Sequence, residues 1–322
     1  MLIPVLLFLL GFAFLIKGGD GFVDGATALA RRFRLPELLI GATVVSIGTT
    51  LPEVMVSAGA AVSGHGEIAY GNAIGSVICN TALIAALTVA VRPSGVDRAA
   101  LRTPVAFFFA AAALYALVAY TTGYFSRAVG VALLALFLAY MVVTVRQMKR
   151  APGGAETAAD ADAGDMPLWK ALALLVAGAA LIAVGARLLV DNGTRIAQAL
   201  GVPESVIALT FVALGTSLPE LVTAITSLAK GHGALSLGNV VGANLFKLVL
   251  VSGTAVPLSP FAIPQGSTIA GRNASLVLDI PVMFAVMLLL TVPALARGAL
   301  ARWQGVTLLA IYAAFCAVQF LM

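Results

Sequence analysis

The sequence predicts an all-α membrane protein of ten transmembrane helices, arranged as two inverted five-helix repeats. Three observations lead to this prediction: the composition, ten long apolar runs, and a second half that repeats the first. Of 322 residues, 61% are hydrophobic and only 10% are charged, and the mean hydropathy is +1.05. A soluble domain carries about 25% charged residues. The chain is therefore expected to cross the membrane many times, with little sequence left for a soluble domain.

Charge and cysteine content argue against several other classes. The net charge of +5 is not the signature of a nucleic-acid-binding protein, because no basic cluster alternates with aromatic residues. Cys79 and Cys316 both lie in apolar runs. A disulfide framework is therefore not expected, and a metal site needs more ligands than these two. Residues 2–16 lack the basic start and small-residue cleavage site of a signal peptide, so we expect them to form the first helix of the mature protein.

Ten apolar runs have about the length, roughly 20 residues, that crosses a bilayer as a helix. They cover residues 2–30, 38–63, 68–91, 103–121, 126–147, 168–197, 205–229, 235–258, 275–294 and 301–321. The first and sixth runs are interrupted by glycine and aspartate, so the sequence leaves their inner ends open.

The second half of the chain repeats the first at a shift of 167 residues, without a gap, over about seventy residues. The matched pairs include Gly11 and Gly178, Gly18 and Gly185, Asp24 and Asp191, Pro36-Glu37 and Pro203-Glu204, His65 and His232, and Asn72 and Asn239. So many matches at one offset indicate duplication. Two long repeats of membrane helices, rather than many short ones, are typical of transporters.

Five spans per repeat is an odd number, so the second repeat must enter the membrane in the opposite orientation. The basic residues test this, because short loops rich in lysine and arginine stay in the cytoplasm. Twelve lie in or beside the loops of one side, namely Arg31, Arg32, Arg34, Arg92, Arg98, Arg102, Arg146, Lys149, Arg150, Lys230, Arg297 and Arg302. Three lie on the other side, namely Arg127, Arg195 and Arg272. We therefore predict a multi-pass protein of the cell (inner) membrane with both termini outside.

The predicted organisation has three parts. Residues 1–150 form the first repeat, residues 151–167 a cytoplasmic linker, and residues 168–322 the second repeat. The linker is rich in alanine and glycine and carries four acidic residues. These acids do not have the spacing of an EF-hand calcium loop, so we expect a solvated connection.

One polar motif occurs in both repeats, within an apolar run each time. The first copy is Gly48-Thr49-Thr50-Leu51-Pro52-Glu53, and the second is Gly215-Thr216-Ser217-Leu218-Pro219-Glu220. An ionised carboxylate in the middle of a membrane costs about 2.5–3.5 kcal/mol on insertion scales and marks a functional site by default. We interpret the two motifs as two halves of one cation site.

The prolines and hydroxyls of the motif support this interpretation. Pro52 and Pro219 have no N–H and clash with the carbonyl four residues earlier, so we expect them to break each helix at its Gly-Thr. The freed carbonyls and nearby hydroxyls are hard oxygen ligands that suit Na⁺ or Ca²⁺. Thr49 lies one turn before Glu53 on the same face, and Thr216 stands in the same relation to Glu220. The alternative is two kinked helices whose acids bind each other or a structural cation.

The next span of each repeat begins with a second motif. Its copies are Gly71-Asn72-Ala-Ile-Gly75-Ser76 and Gly238-Asn239-Val-Val-Gly242-Ala243. Glycines four residues apart allow helices to pack closely, which is a sufficient explanation of them. Ser76 and Asn80 share one face, whereas their counterparts are Ala243 and Lys247. His65 and His232 lie in turns and are interpreted as turn residues rather than proton carriers.

These paired motifs resemble the two alpha-repeats of the sodium/calcium exchanger family, within the cation/Ca²⁺ antiporter superfamily, and the chain looks like a prokaryotic member. The resemblance covers essentially the whole chain and implies the inverted ten-helix topology. It implies that Glu53, Glu220, Thr49 and Thr216 bind the central Ca²⁺. It also implies Na⁺ ligation by side chains and backbone of the following residues: Thr50, Ser217, Ser76, Asn80, Ser46 and Ala213. The implied mechanism is alternating access, in which the first and sixth helices slide against the core.

Lys247 departs from the family pattern, which usually has an acid there and a serine at Ala243. Two glutamates and one ammonium carry a charge of −1, whereas the usual acid would make it −3. Charge interactions are strong in a low-dielectric site, so three Na⁺ ions become hard to accommodate and Ca²⁺ should bind more weakly. Our hypothesis is that the Lys247 ammonium replaces one coupling ion and that this lysine can gain and lose a proton during the cycle. The alternative is that Lys247 extends to the membrane surface.

The sequence thus predicts a secondary antiporter that exchanges Ca²⁺ for Na⁺, with Ca²⁺/H⁺ or monovalent cation/H⁺ antiport as the alternative. A channel or non-transporting scaffold is disfavoured, because neither a filter motif nor a ring of pore charges is visible. An enzyme is not expected, because no catalytic arrangement of residues lies at membrane depth. The expected partners are inorganic cations and the lipid bilayer, without a resident cofactor or nucleic acid, and we expect the monomer to be functional.

Overall fold

A computed structural model describes residues 2–150, 166–200, 215, 217–265 and 268–321, and ten helices lie in these ranges. They are α1 Leu2–Arg32, α2 Glu37–Val62, α3 Gly66–Val91, α4 Arg98–Thr121, α5 Arg127–Arg150, α6 Leu168–Ala199, α7 Leu218–Ala229, α8 Gly233–Leu258, α9 Ser275–Arg297 and α10 Arg302–Leu321. Four two-residue strands complete the fold: β1 Tyr124–Phe125, β2 Phe261–Ala262, β3 Thr268–Ile269 and β4 Arg272–Asn273. Eight of the helices are long and apolar enough to cross a membrane. The all-α membrane fold is therefore confirmed.

Most helix ends agree with the apolar runs to within a few residues. Helix α4 begins five residues before its run, because the Asp97 side chain accepts hydrogen bonds from Ala99 N and Ala100 N and caps the helix. Helices α1 and α6 are continuous through the glycines and aspartates that left their ends open. The start of the seventh predicted span, residues 205–214, and most of the linker lie outside the described residues.

Helices α1 and α6 pack against each other in antiparallel directions through matched glycines. A Cβ added at Gly11 would lie 2.9 Å from Gly185 O, and one added at Gly18 would lie 2.9 Å from Gly178 O. Gly11 and Gly178 are counterparts in the two repeats, as are Gly18 and Gly185. The two repeats therefore contribute equal and opposite helices to this pair, as two inverted repeats require.

The direction of α8 gives independent support for inversion. Helix α3 runs antiparallel to α2, and Asn72 Nδ2 donates to Ser57 Oγ at 2.8 Å across this hairpin. Helix α8 runs parallel to α2, because Gly238 packs on Leu38 and Gly242 packs on Ala42. Since α8 is the counterpart of α3, the counterparts run in opposite directions. The inverted-repeat fold is confirmed.

The loops fall into the two groups that the topology predicts. On one side, β1 between α4 and α5 pairs antiparallel with β2 between α8 and α9, with Phe125 opposite Phe261. On the other side, Val96 N donates to Gly298 O, which joins the α3–α4 and α9–α10 loops. On that same side, His232 Nδ1 lies 2.8 Å from Glu37 Oε1 and joins the α7–α8 and α1–α2 connections.

Helix α8 forms the centre of the bundle. Every residue from Leu235 to Phe246 is buried. Helices α1 and α6, by contrast, expose many large apolar side chains, including Leu9, Ile16 and Val176. The helix that carries Lys247 is therefore surrounded by protein, while the glycine-paired α1 and α6 face lipid.

The α1–α6 contact can be tested with two glycines of α1. A Cβ at Gly25 would lie 2.6 Å from Ala171 O and 2.8 Å from Leu175 N, both backbone atoms. Overpacking of this kind costs about 1–3 kcal/mol, so Gly25→Ala should lower the thermal unfolding temperature of the purified protein. Gly21→Ala is the matched control, because its Cβ would meet only Leu174 atoms at 3.6 and 3.7 Å. Equal unfolding temperatures for the two variants would contradict the close contact.

Candidate cation site

Widened π-helical turns lie at matched positions of the two repeats. In α3 the π segment is Asn80–Ala85, and in α8 it is Lys247–Val251. Asn80 and Lys247 are counterparts at the 167-residue shift, so the backbone keeps the symmetry that the side chains lose. A third π segment, Gly41–Val45, precedes the Thr-Pro-Glu motif of α2. Single π turns inside α-helices often mark functional sites.

The freed carbonyls of these turns have side-chain partners. Tyr140 Oη donates to Ala42 O at 2.8 Å, and Ser46 Oγ donates to Gly41 O at 2.7 Å. In α8, Ser252 Oγ lies 3.4 Å from Lys247 O. Hydroxyls thus stabilise the irregular backbone in a region where lipid offers no hydrogen bonds.

Lys247 lies between the two glutamates. Its Nζ is 2.9 Å from Glu53 Oε1 and 3.8 Å from Glu220 Oε1, and all three side chains are at most 1% exposed. The shorter contact has the length of a charge-assisted hydrogen bond, so Lys247 and Glu53 form a buried ion pair. This position excludes the alternative in which Lys247 extends to the membrane surface.

Many buried polar atoms around this cluster have no hydrogen-bond partner among the described residues. They are Thr50 Oγ1, Glu53 Oε2, both carboxylate oxygens of Glu220, both amide atoms of Asn80, Ser217 Oγ, Asn239 Nδ2 and Asn244 Oδ1. Most buried polar groups in proteins are paired. So many unpaired polar atoms in one buried region leave oxygens available to a cation or to water.

The structure buries all the predicted site residues of the first repeat. Ser46, Thr49, Thr50, Ser76 and Asn80 are all at most 6% exposed. The Ser76 side chain lies beside the Glu53 carboxylate.

Of the second-repeat residues, Ser217 is buried and precedes the first residue of α7. Ala243 is fully buried on α8, four residues before Lys247. Thr216 and Ala213 lie outside the described residues.

The proposed breaks at the prolines differ between the repeats. Helix α2 runs from Ser46 to Val62 as an α-helix with Pro52 inside it, so the expected break at Gly48-Thr49 is wrong. The irregular turn lies upstream, in the π segment, because neighbouring helices support a proline within a membrane helix. In the second repeat α7 begins at Leu218 with Pro219 in its first turn, where a missing N–H costs nothing.

Asn239 lies beside the predicted site residues, although the sequence predicted no role for it. Its Oδ1 lies 3.3 Å from Thr49 Oγ1 and 3.4 Å from Ser46 Oγ, and its backbone carbonyl accepts from Ser46 Oγ at 3.1 Å. A second-repeat side chain thus orients first-repeat hydroxyls. The Gly-Asn pair that both repeats share was the signal that could have found Asn239. The direction of the Asn239 side chain toward α2 depends on the parallel packing of α8.

An oxygen-lined, duplicated site at the centre of a ten-helix membrane bundle defines the class: an ion transporter. A profile of the family described as sodium/calcium exchanger protein matches residues 3–146 and 170–321. The chain belongs to the sodium/calcium exchanger family. It is therefore a multi-pass membrane antiporter of the cation/Ca²⁺ class and not an enzyme.

Full-length relatives agree with this membership. The chain is 33% identical to the "Putative antiporter CaxA" of Alkalimonas amylolytica, over 100% of this chain and 99% of the relative. It is 29% identical to the "Sodium/calcium exchanger MaX1" of Methanosarcina acetivorans, over 98% of each chain. Among solved structures, the sodium-calcium exchanger NCX_Mj soaked with Na⁺ and without Ca²⁺ has a TM-score of 0.83 at 33% identity, over 98% of this chain and 99% of that one.

The charge role of Lys247 predicts a cation-dependent stability. Lys247→Met removes the ammonium and leaves two buried carboxylates without a counter-charge, a loss that costs about 3–5 kcal/mol in buried pairs. The variant should unfold at lower temperature in chelator, and added Ca²⁺ should raise that temperature more than in the wild type, because a ligand of the folded state stabilises it. Thermal unfolding in detergent measures both.

Lys230→Met is the matched control for this experiment. Lys230 pairs with Asp24 at 2.8 Å and Asp20 at 3.4 Å near the membrane surface, and its side chain is 27% exposed. In the Lys230→Met variant, Ca²⁺ should raise the unfolding temperature as much as it does in the wild type. If Lys247→Met and the wild type show the same Ca²⁺ response, Lys247 is not the counter-charge of the glutamates.

Proposed function

We propose that this chain exchanges Ca²⁺ for Na⁺ by alternating access, with Glu53 and Glu220 as the carboxylate ligands of the transported ion. The observation that carries the proposal is the position of both carboxylates, one from each repeat, beside the same buried lysine. Each repeat supplies one acid, so the ion would be held at the repeat interface, where transporters with inverted repeats bind their substrates. The names of the relatives MaX1 and NCX_Mj agree with this substrate pair.

The ligand set that we propose is made of hard oxygens. Ca²⁺ takes six to eight oxygen ligands, and carboxylates are the strongest of them. Glu53 and Glu220 would supply the charge, and Thr49 and Thr216 would add neutral oxygens. For Na⁺ we propose Thr50, Ser217, Ser76 and Asn80, with the backbone at Ser46 and Ala213. Asn239 would position the Ser46 and Thr49 hydroxyls rather than bind the ion.

Lys247 favours a second candidate, antiport coupled to H⁺. Its ammonium lies within 4 Å of both carboxylates and so occupies the position of a coupling cation. Ca²⁺ can reach both carboxylates only if this ammonium moves or is neutralised, because like charges repel strongly in a low dielectric. The exchange would then need fewer Na⁺ ions or none, and the counter-ion would be H⁺.

The mobile part of the cycle is proposed to be α1 with α6. The pair meets through glycine contacts and faces lipid, so it can shift without opening the core around α8.

We further propose that the side with twelve basic residues is cytoplasmic, which places both termini outside and the linker inside. We also propose that the monomer is the functional unit.

A reconstituted flux assay separates the two couplings. In proteoliposomes, ⁴⁵Ca²⁺ uptake should follow an imposed outward Na⁺ gradient if Na⁺ is the counter-ion. If a pH gradient drives uptake and a Na⁺ gradient does not, the counter-ion is H⁺ rather than Na⁺. Calcium flux that runs down its own gradient without either counter-ion contradicts antiport altogether.

Substitution of the two acids tests the ligands. Glu53→Gln and Glu220→Gln should each reduce ⁴⁵Ca²⁺ uptake at least about tenfold, since 1.4 kcal/mol of lost binding is already a factor of ten. The matched control is Glu67→Gln, because Glu67 is exposed in the first turn of α3. If Glu53→Gln or Glu220→Gln took up ⁴⁵Ca²⁺ at the wild-type rate, the acid that it replaces would not be a ligand of the transported ion.

Lys247→Asp tests the coupling role of the lysine. The substitution changes the formal charge of the cluster from −1 to −3, so we expect tighter Ca²⁺ binding and a steeper dependence of uptake on Na⁺. Initial uptake rates of wild type and variant across Na⁺ concentration and pH measure this. Identical Na⁺ and pH dependence in both proteins would show that Lys247 does not stand in for a coupling ion.

A further inference from the structure

A second polar cavity, of about 240 Å³, lies between α3, α9 and α10. None of its lining residues belongs to the Glu53–Lys247–Glu220 cluster. Its polar groups are Tyr70, Ser275, Asp279 and Gln319, and the Phe315 ring adds an aromatic wall. The transport mechanism proposed above uses none of these residues.

Asp279 brings a carboxylate into this cavity without a counter-charge. It is the last residue of the π-helical segment Ser275–Asp279 that opens α9, and it is only partly exposed. Gln319 Nε2 donates to its Oδ1 at 2.8 Å. The amide orients the carboxylate but does not neutralise it, and no ion pair to Asp279 occurs within the described ranges.

Tyr70 gives an independent sign of a ligand. The residue is 1% exposed and lines the same cavity. The Ser275 side chain lies beside its hydroxyl, but within the part of the chain that the structure describes no group meets this hydroxyl with full hydrogen-bond geometry. A buried hydroxyl without a partner costs about 1–3 kcal/mol. A ligand with hydrogen-bond donors in the cavity would remove this cost and the charge imbalance at Asp279 together.

We propose that this cavity binds a primary organic ammonium ion with a short apolar chain. An ammonium carries three N–H donors and no acceptor, and the Asp279 carboxylate and the Ser275 and Tyr70 hydroxyls offer three oxygen acceptors. Phe315, Ile74 and Ile78 supply apolar lining for the carbon chain of such an ion. The volume lies below the roughly 300–1,000 Å³ of pockets for drug-sized ligands, so the chain of the amine must be short.

A divalent metal ion fits this cavity less well. Ca²⁺ needs six to eight oxygens, usually with several carboxylates, and the cavity offers one. Within the described residues no group of three histidine, cysteine, aspartate or glutamate side chains is placed to hold a metal. The mixture of one acid, neutral hydroxyls and apolar walls such as Ile74 and Ile78 matches the two parts of an amine better.

The test is calorimetric titration of n-butylammonium chloride into the full-length protein in phosphatidylcholine nanodiscs without Ca²⁺. We expect saturable binding, and at least tenfold weaker binding to Asp279→Asn. Asp191→Asn is the matched control, because Asp191 is exposed and pairs with Arg187 on α6. 1-Butanol, with the same chain and no charge, should not bind, and tetramethylammonium, which has no N–H, should bind more weakly.

A second variant guards against misfolding of the first. Gly75 lines the cavity, and a Cβ at Gly71 or Gly75 would meet no atom within 4 Å, so the close helix packing expected of these two glycines is wrong. Gly75→Leu should therefore fill the cavity and abolish binding while Asp279 stays intact. The phosphatidylethanolamine headgroup is a primary ammonium and would compete for the cavity. Weaker n-butylammonium binding in phosphatidylethanolamine than in phosphatidylcholine nanodiscs therefore assigns the site to a lipid headgroup. Equal binding in both assigns it to a free amine. Equal heats for n-butylammonium and 1-butanol, wild-type affinity in both variants, or no saturable binding overturns the proposal.

Discussion

The contact between one ammonium and two carboxylates in the middle of the bundle is the constraint on which the rest of the structure depends. Glu53, Glu220 and Lys247 come from α2, α7 and α8, so the cluster joins both repeats through three helices. Two uncompensated acids in a protein interior would be very costly. The lysine reduces that cost without a bound ion. It can reach both acids because α8, which carries it, is buried along its whole central length.

The backbones of the two repeats are symmetric, but the side chains at the predicted cation site are not. Glycines allow α8 to approach α2 at Leu38 and Ala42, and matched glycines hold α1 against α6. The π turns at Asn80 and Lys247 begin at equivalent positions, so both helices present a residue to the centre in the same way. One of these residues is a neutral amide and the other a cation. Duplication therefore supplied the frame, and a single position changes the charge of the site.

That charge connects the structure to the family. The buried acids come from both repeats, and the fold of this chain follows that of the sodium-calcium exchanger NCX_Mj closely. A tethered ammonium at Lys247 differs from a free coupling ion in one physical respect: it cannot leave. A site of this kind can change its affinity through movement or neutralisation of its own lysine. The Asp279 cavity, lined by α3, α9 and α10, lies apart from this cycle and offers a binding function that does not depend on the coupling ion.

The sequence by itself determined the spans, the duplication, the inverted orientation and the two acids, because hydropathy, a fixed offset and the distribution of basic residues are properties of the chain alone. Lys247 was visible as a departure, but its place between both glutamates was decided by the parallel packing of α8 on α2. The same packing turned Asn239 toward Ser46 and Thr49. Helix periodicity could not foresee this, because each π turn shifts the register of the residues that follow. The unbroken helix at Pro52 was also a tertiary result, since neighbouring helices support what an isolated proline would disrupt.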